Sequence, residues 1–216
     1  MEKKYEIMDN EKLTIVINIG RHEEVHTLHP IRAMKNFSDV KKGDLGGYIE
    51  NENNLSQDDY CWVYDYAMVF GDAVVSENAK IRDYSMVYGN ATIGGTAVLS
   101  YNSRVFESAM IRGTTRVMNN AMVFGDAYLT GEVAVIDNAI VFGKTTIINH
   151  AVIKDSAVVG GDSHIYGTAI ISGNSRIFNE FIGCDSKITS TPKFRMKREC
   201  EWSFNVDDRS KFLSST

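Results

Sequence analysis

From Cys61 to Glu180 the chain divides into twenty consecutive six-residue units without one insertion, and no other feature constrains the fold as tightly. AMVFGD occurs at 67–72 and again at 121–126, and AIVFGK at 139–144 is a near copy, so the best copies lie 54 and 18 positions apart. The third position is Val, Ile or Leu in all twenty units; the first is Ala, Ser, Thr, Cys or, once, Val133. In extended backbone, side chains alternate between faces, so positions one and three point inward while two and four point out. The fifth position is Gly in ten units and Asp or Asn in seven, residues that tolerate positive φ, so each unit ends in a corner. A small residue alternating with a branched aliphatic suits a narrow, dense interior. Three such sides close a triangular coil of eighteen residues, and copies 18 or 54 apart then stack on one side of a prism.

This pattern resembles the hexapeptide-repeat superfamily over roughly residues 55–186. The resemblance implies an all-β, three-sided left-handed parallel β-helix; the handedness comes from the resemblance alone, because parallel crossovers are normally right-handed. With strands ~4.8 Å apart the units make nearly seven coils, a prism roughly 32 Å long. Residues 1–54 break the period. LTIVIN at 13–18 and VHTLHPI at 25–31 read as antiparallel strands joined through NIGRHEE, with YEIM at 5–8 as a third, forming a small N-terminal cap. An open β-helix end exposes unpaired strand edges, so a cap is physically required. Gly43, Gly46 and Gly47 read as shaping the entry into the first coil, against the sharper alternative of a phosphate loop. Residues 187–216 form a C-terminal strand and tail, with the strand at 193–204, where KFRMKRECEWSF alternates apolar and polar.

Composition excludes several classes of function. A net charge of −5 gives no electrostatic reason to expect nucleic-acid binding. No apolar run reaches membrane-spanning length and the N-terminus lacks a signal-peptide core, which reads as a cytoplasmic protein with no membrane partner. Three cysteines spread over Cys61, Cys184 and Cys200 suggest reduced thiols rather than a disulfide framework.

The outward positions are where function would be written. One side presents Met68, Phe70, Met86, Tyr88, Arg104, Phe106, Met122, Phe124, Ile140, Phe142, Val158, Gly160, Arg176 and Phe178. Such an apolar strip exceeds what a soluble monomer usually exposes. Superfamily members typically form parallel trimers, and Met68, Phe70, Met86, Tyr88, Phe106, Met122, Phe124, Ile140 and Phe142 are accordingly expected at a homotrimer interface.

For chemistry, the resemblance implies acyltransferases with a His general base, often beside an inserted loop. This chain has no such loop, and its prism carries only His150, at a corner, and His164, the weak catalytic candidate. Two prism histidines do not make a three-imidazole zinc site, so neither metal nor cofactor is expected. Residues 31–67 resemble the leader of a subfamily common in phages and prophages, whose members are labelled transferase or polymer-forming protein. That resemblance implies a non-catalytic homotrimeric binding protein in a host cytoplasm, sequestering a small anionic nucleotide or blocking a host defence protein. Arg104, Arg112, Arg116 and Arg176 would contact phosphate, while Phe106, Tyr128, Tyr166 and Phe178 would stack on bases. An acyl-CoA-dependent acyltransferase and a purely structural assembly protein are the alternatives.

Overall fold

The computed structural model describes residues 2–19 and 22–190. Each six-residue unit places a two- to four-residue strand on one side of a prism, and strands one coil apart pair in parallel, as in Met68↔Met86, Val74↔Thr92 and Lys80↔Val98. Three sheets result. One runs through Met68, Met86, Arg104, Met122, Ile140, Val158 and Arg176; the second through Val74, Thr92, Met110, Tyr128, Thr146, His164 and Phe181; the third from Trp62 to Ile188. The third sheet has eight strands, so the prism reaches about eight turns, one more than the regular units alone supply. This is a three-sided parallel β-helix.

The extra turn follows a change of period. His164 pairs with Phe181 and Ile170 with Lys187, a step of 17 instead of 18. One residue is dropped after the corner at Asn179, so Glu180 opens the next strand instead of closing a unit. Cys184 takes the left-handed corner conformation of that added turn, with φ 55°. It is disulfide-bonded, which corrects the expectation of three reduced thiols; Cys61 is free and buried.

The interior follows the inward register: Ala67, Val69, Ala73, Val75, Ala121 and Val123 are fully buried. Most inward hydroxyls are satisfied across the turn, as where Ser85 Oγ and Thr115 Oγ1 donate to the carbonyls of Arg82 and Arg112 at 2.6 and 2.7 Å, while the Ser103 hydroxyl is buried without a partner. All twenty fifth positions have positive φ, including Glu77, Tyr101 and Glu107, which have no local preference for it. At these three, stacking of coils above and below overrides a conformational cost of about 1–2 kcal/mol.

The N-terminal segment forms β1 (Tyr5–Ile7), β2 (Leu13–Ile19), β3 (His22–Ala33) and β4 (Leu45–Ile49). β3 pairs antiparallel with β1, β2 and β4, and β4 pairs in parallel with the prism through Tyr48↔Met68. The cap thus prolongs the first sheet of the prism. Where the sequence suggested that NIGRHEE is all turn, His22, Glu23 and Glu24 are strand residues opposite Ile19, Asn18 and Ile17. Gly46 and Gly47 are explained by close packing. A Cβ on Gly46 would lie 2.7 Å from the Trp62 ring, and one on Gly47 would lie 2.4 Å from the Ala67 carbonyl oxygen. The expected strand at 193–204 lies outside the described residues.

Candidate functional site

The first sheet carries a column of rings. Phe70, Tyr88, Phe106, Phe124 and Phe142 occupy position four of successive coils, because the eighteen-residue repeat puts each over the last. Their centroids are 5.0, 4.9, 4.7 and 5.3 Å apart, with planes within 11° of parallel. Gly160 interrupts the column: the Phe142 ring leans over it, so that a Cβ there would lie 2.5 Å from the ring, and Phe142 meets Phe178 edge-on at 6.0 Å. Each ring covers part of its neighbour, leaving most of the column half-buried within one chain. Burial pushes the Tyr88 hydroxyl above its usual pKa, against the opposing pull of Arg104. Met68, Met86, Met122 and Ile140 flank the rings at position two of the same strands.

The cap closes one end of this column, in an arrangement that the sequence pattern did not reveal. The His26 ring lies 4.8 Å from Phe70, tilted by 51°. Its Nδ1 is 3.0 and 3.1 Å from the two carboxylate oxygens of Glu50, and its Nε2 is 3.6 Å from Glu24. Glu50 is itself held, because Oε2 accepts the backbone N–H of Gly71 at 2.7 Å. A carboxylate only accepts, so the tautomer that hydrogen-bonds Glu50 has its proton on Nδ1 and its free lone pair on Nε2. A His followed, 24 residues on, by a Glu at a strand end offers no spacing that would have announced this pair.

The expected catalytic candidate is built differently. His164 stacks on Phe181 at 4.6 Å, and its Nε2 is 3.5 Å from Asp162, beyond a good hydrogen bond. His150 is likewise 3.5 Å from Glu132 at an exposed corner. The residues expected to bind a nucleotide fall on all three sides. Arg104, Phe106, Arg176 and Phe178 share the column face; Arg112, Tyr128 and Tyr166 are on the second face; Arg116 is on the third. Arg112 also faces Glu77 at 3.8 Å. Within one protomer these side chains do not converge. Among the described residues no group of His, Cys, Asp and Glu is placed to hold a metal ion, and no helix is long and apolar enough to cross a membrane.

A further polar cluster fastens the cap to the third face. Lys80 Nζ and the Tyr64 hydroxyl donate to Asp39 Oδ1 at 2.8 and 2.7 Å, and Arg82 donates to Oδ2 at 3.1 Å. The Arg82 guanidinium also sits 4.2 Å over the Tyr64 ring. The Lys80 hydrogen bond, with help from Tyr64, holds the Asp39 carboxyl well below the usual carboxylate range, while burial and then Asp39 push the Tyr64 hydroxyl up.

The fold and the repeats fit the hexapeptide-repeat superfamily of parallel β-helix proteins. Among known proteins, the chain is similar to the uncharacterized acetyltransferase YdcK of Escherichia coli (strain K12), with 36% identity over 80 residues. That stretch is 37% of this chain and 24% of the relative, so the match spans about a quarter of the relative's length. No family model matches the chain.

Proposed function

We propose that this β-helix binds an acyl-CoA and transfers its acyl group. The similarity to a protein named as an acetyltransferase carries this reading, and the His26–Glu50 pair supplies the chemistry it needs. Nε2 of His26 accepts the proton of an incoming hydroxyl or amine, which attacks the thioester carbonyl. The proton then leaves on the departing CoA thiolate, while Glu50 holds the ring and stabilises the imidazolium formed in between. CoA is an anionic adenine nucleotide, so the arginines and rings expected to bind a nucleotide suit it as well, provided that neighbouring prisms bring different faces together.

A second reading is favoured by the uninterrupted prism: a trimeric binding protein without chemistry that sequesters a nucleotide or occupies a host protein. Thermal shift separates the two. A ligand present at 100 times its dissociation constant stabilises the fold by about 2.7 kcal/mol. Stabilisation by acetyl-CoA with release of free CoA thiol, lost in His26→Gln and retained in His164→Ala, is the expected result. Stabilisation by cyclic or linear nucleotides, with no response to CoA, would replace acyl transfer with sequestration.

A further inference from the structure

Beneath the cap lies a pair of groups that the proposed chemistry does not use. Lys4 has no exposed surface, and neither does Cys61. Lys4 Nζ donates to the carbonyl oxygens of Asp58 and Cys61 at 3.0 and 3.1 Å and to Cys61 Sγ at 3.2 Å. The Phe37 ring closes the site 5.5 Å from the amine. Among the described residues no carboxylate hydrogen-bonds this amine, and its one ionisable hydrogen-bond partner is the thiol. Burying an ammonium whose hydrogen-bond partners are carbonyls and a thiol is expensive, and Asp58 and Asp59 offset this only through space. Burial accordingly pushes Lys4 down and Cys61 up, each opposed by the other group. Nitrogen and sulfur are thus in direct contact, 3.2 Å apart.

We propose that Lys4 and Cys61 form an oxidation-dependent covalent staple, in which one oxygen atom bridges Nζ and Sγ. The step consumes one dioxygen. The S–H bond, one N–H bond and the O–O bond break; S–O and O–N bonds form, and the second oxygen leaves as water with both hydrogens. Sulfur and nitrogen each give up two electrons, and dioxygen takes all four. Two dithiol equivalents return the four electrons and two hydrogens to the pair, regenerating amine and thiol and releasing the bridging oxygen as water. The heavy atoms need approach only slightly, and the backbone on both sides is fixed: Lys4 N donates to Gln57 Oε1 at 2.8 Å, and Cys61 N donates to the Glu77 carbonyl at 2.8 Å. The staple would join the residue before the first strand of the cap to the residue before the first strand of the third sheet, across 57 residues of chain.

The full-length protein held in oxygen-saturated buffer, alkylated, digested and weighed tests this. A linked pair of peptides containing residues 4 and 61, heavier than their sum by one oxygen less two hydrogens, is expected. It should be absent from an anaerobic control, reversed by dithiothreitol, and lost in Cys61→Ser and in Lys4→Met. Circular dichroism of each variant establishes that it is folded. Since only peptides holding residues 4 and 61 are read, oxidation at Cys184 or Cys200 does not enter. The proposal is overturned if Cys61 stays reduced in the oxygenated wild type, or if it becomes a sulfenic or sulfinic acid while the Lys4 amine stays unmodified.

Discussion

At the scale of single residues, inward and outward positions carry different costs. Val123 has no exposed surface and faces only other interior side chains. Val123→Asp would strand a carboxylate there at a cost on the order of several kcal/mol, and far-ultraviolet circular dichroism should show cooperative loss of strand signal well below the wild-type melting temperature. Asp39 makes a prediction of a different kind. Its folded pKa is depressed, so its contribution is complete above the unfolded carboxylate value of about 3.9 and is lost as pH falls through the folded value. Proteolytic nicking of loop 34–44 should therefore increase on acidification below that range in the wild type. In Asp39→Asn it should be faster at neutral pH and nearly independent of pH. A wild-type profile that stayed flat would mean that the Lys80 and Arg82 contacts do not hold the loop.

At the scale of elements, the ring column offers two tests. Gly160 has no positive φ, so nothing in its backbone forbids a side chain. Gly160→Phe would displace the leaning Phe142 ring and replace one edge-on contact with two stacked ones, each worth about 0.5–1.5 kcal/mol. A higher melting temperature is expected, and a lower one would mean that the lean is enforced by the strands. Phe106→Glu combined with Phe124→Glu sets two carboxylates at adjacent rungs of the half-buried column. If the face is the contact between copies of the chain, light scattering should show a folded single protomer where the wild type is larger. Elements of the prism were legible from the sequence because each is decided within six residues by a small residue, an aliphatic and a corner. The contacts that define the candidate site were not. His26 with Glu50, Asp39 with Lys80, and Lys4 with Cys61 join residues 24, 41 and 57 apart. The repeat places Cys61 and Lys80, but no spacing in the sequence joins either of them to its partner in the cap.

At the scale of the whole molecule, stability runs along one axis, because each coil touches little beyond its two neighbours and adds a nearest-neighbour increment. Periodicity also let the sequence overreach. Counting sixes gave Glu180 as the end of a unit, whereas the coil loses a residue after Asn179 and continues; a single dropped residue has no signature in composition. The cap lies outside the repeat, and it ends both the first sheet and the ring column. Lifting it would uncover the strand edge at Met68–Val69 and the Phe70 ring together, so cap docking and prism stability are coupled at that end.

Trp62 gives that coupling a voice. It is 1% exposed, wedged between Tyr5 at 6.3 Å and Phe37 at 5.3 Å, and it belongs to the third sheet while its neighbours belong to the cap. With Trp202 replaced by Phe, the indole is the sole long-wavelength emitter of the chain, placed at the seam between the two parts. Its emission would shift to the red when the seam opens, before any strand is lost. The molecule therefore carries its own optical gauge, able to tell an opened lid from a melted prism in a single titration.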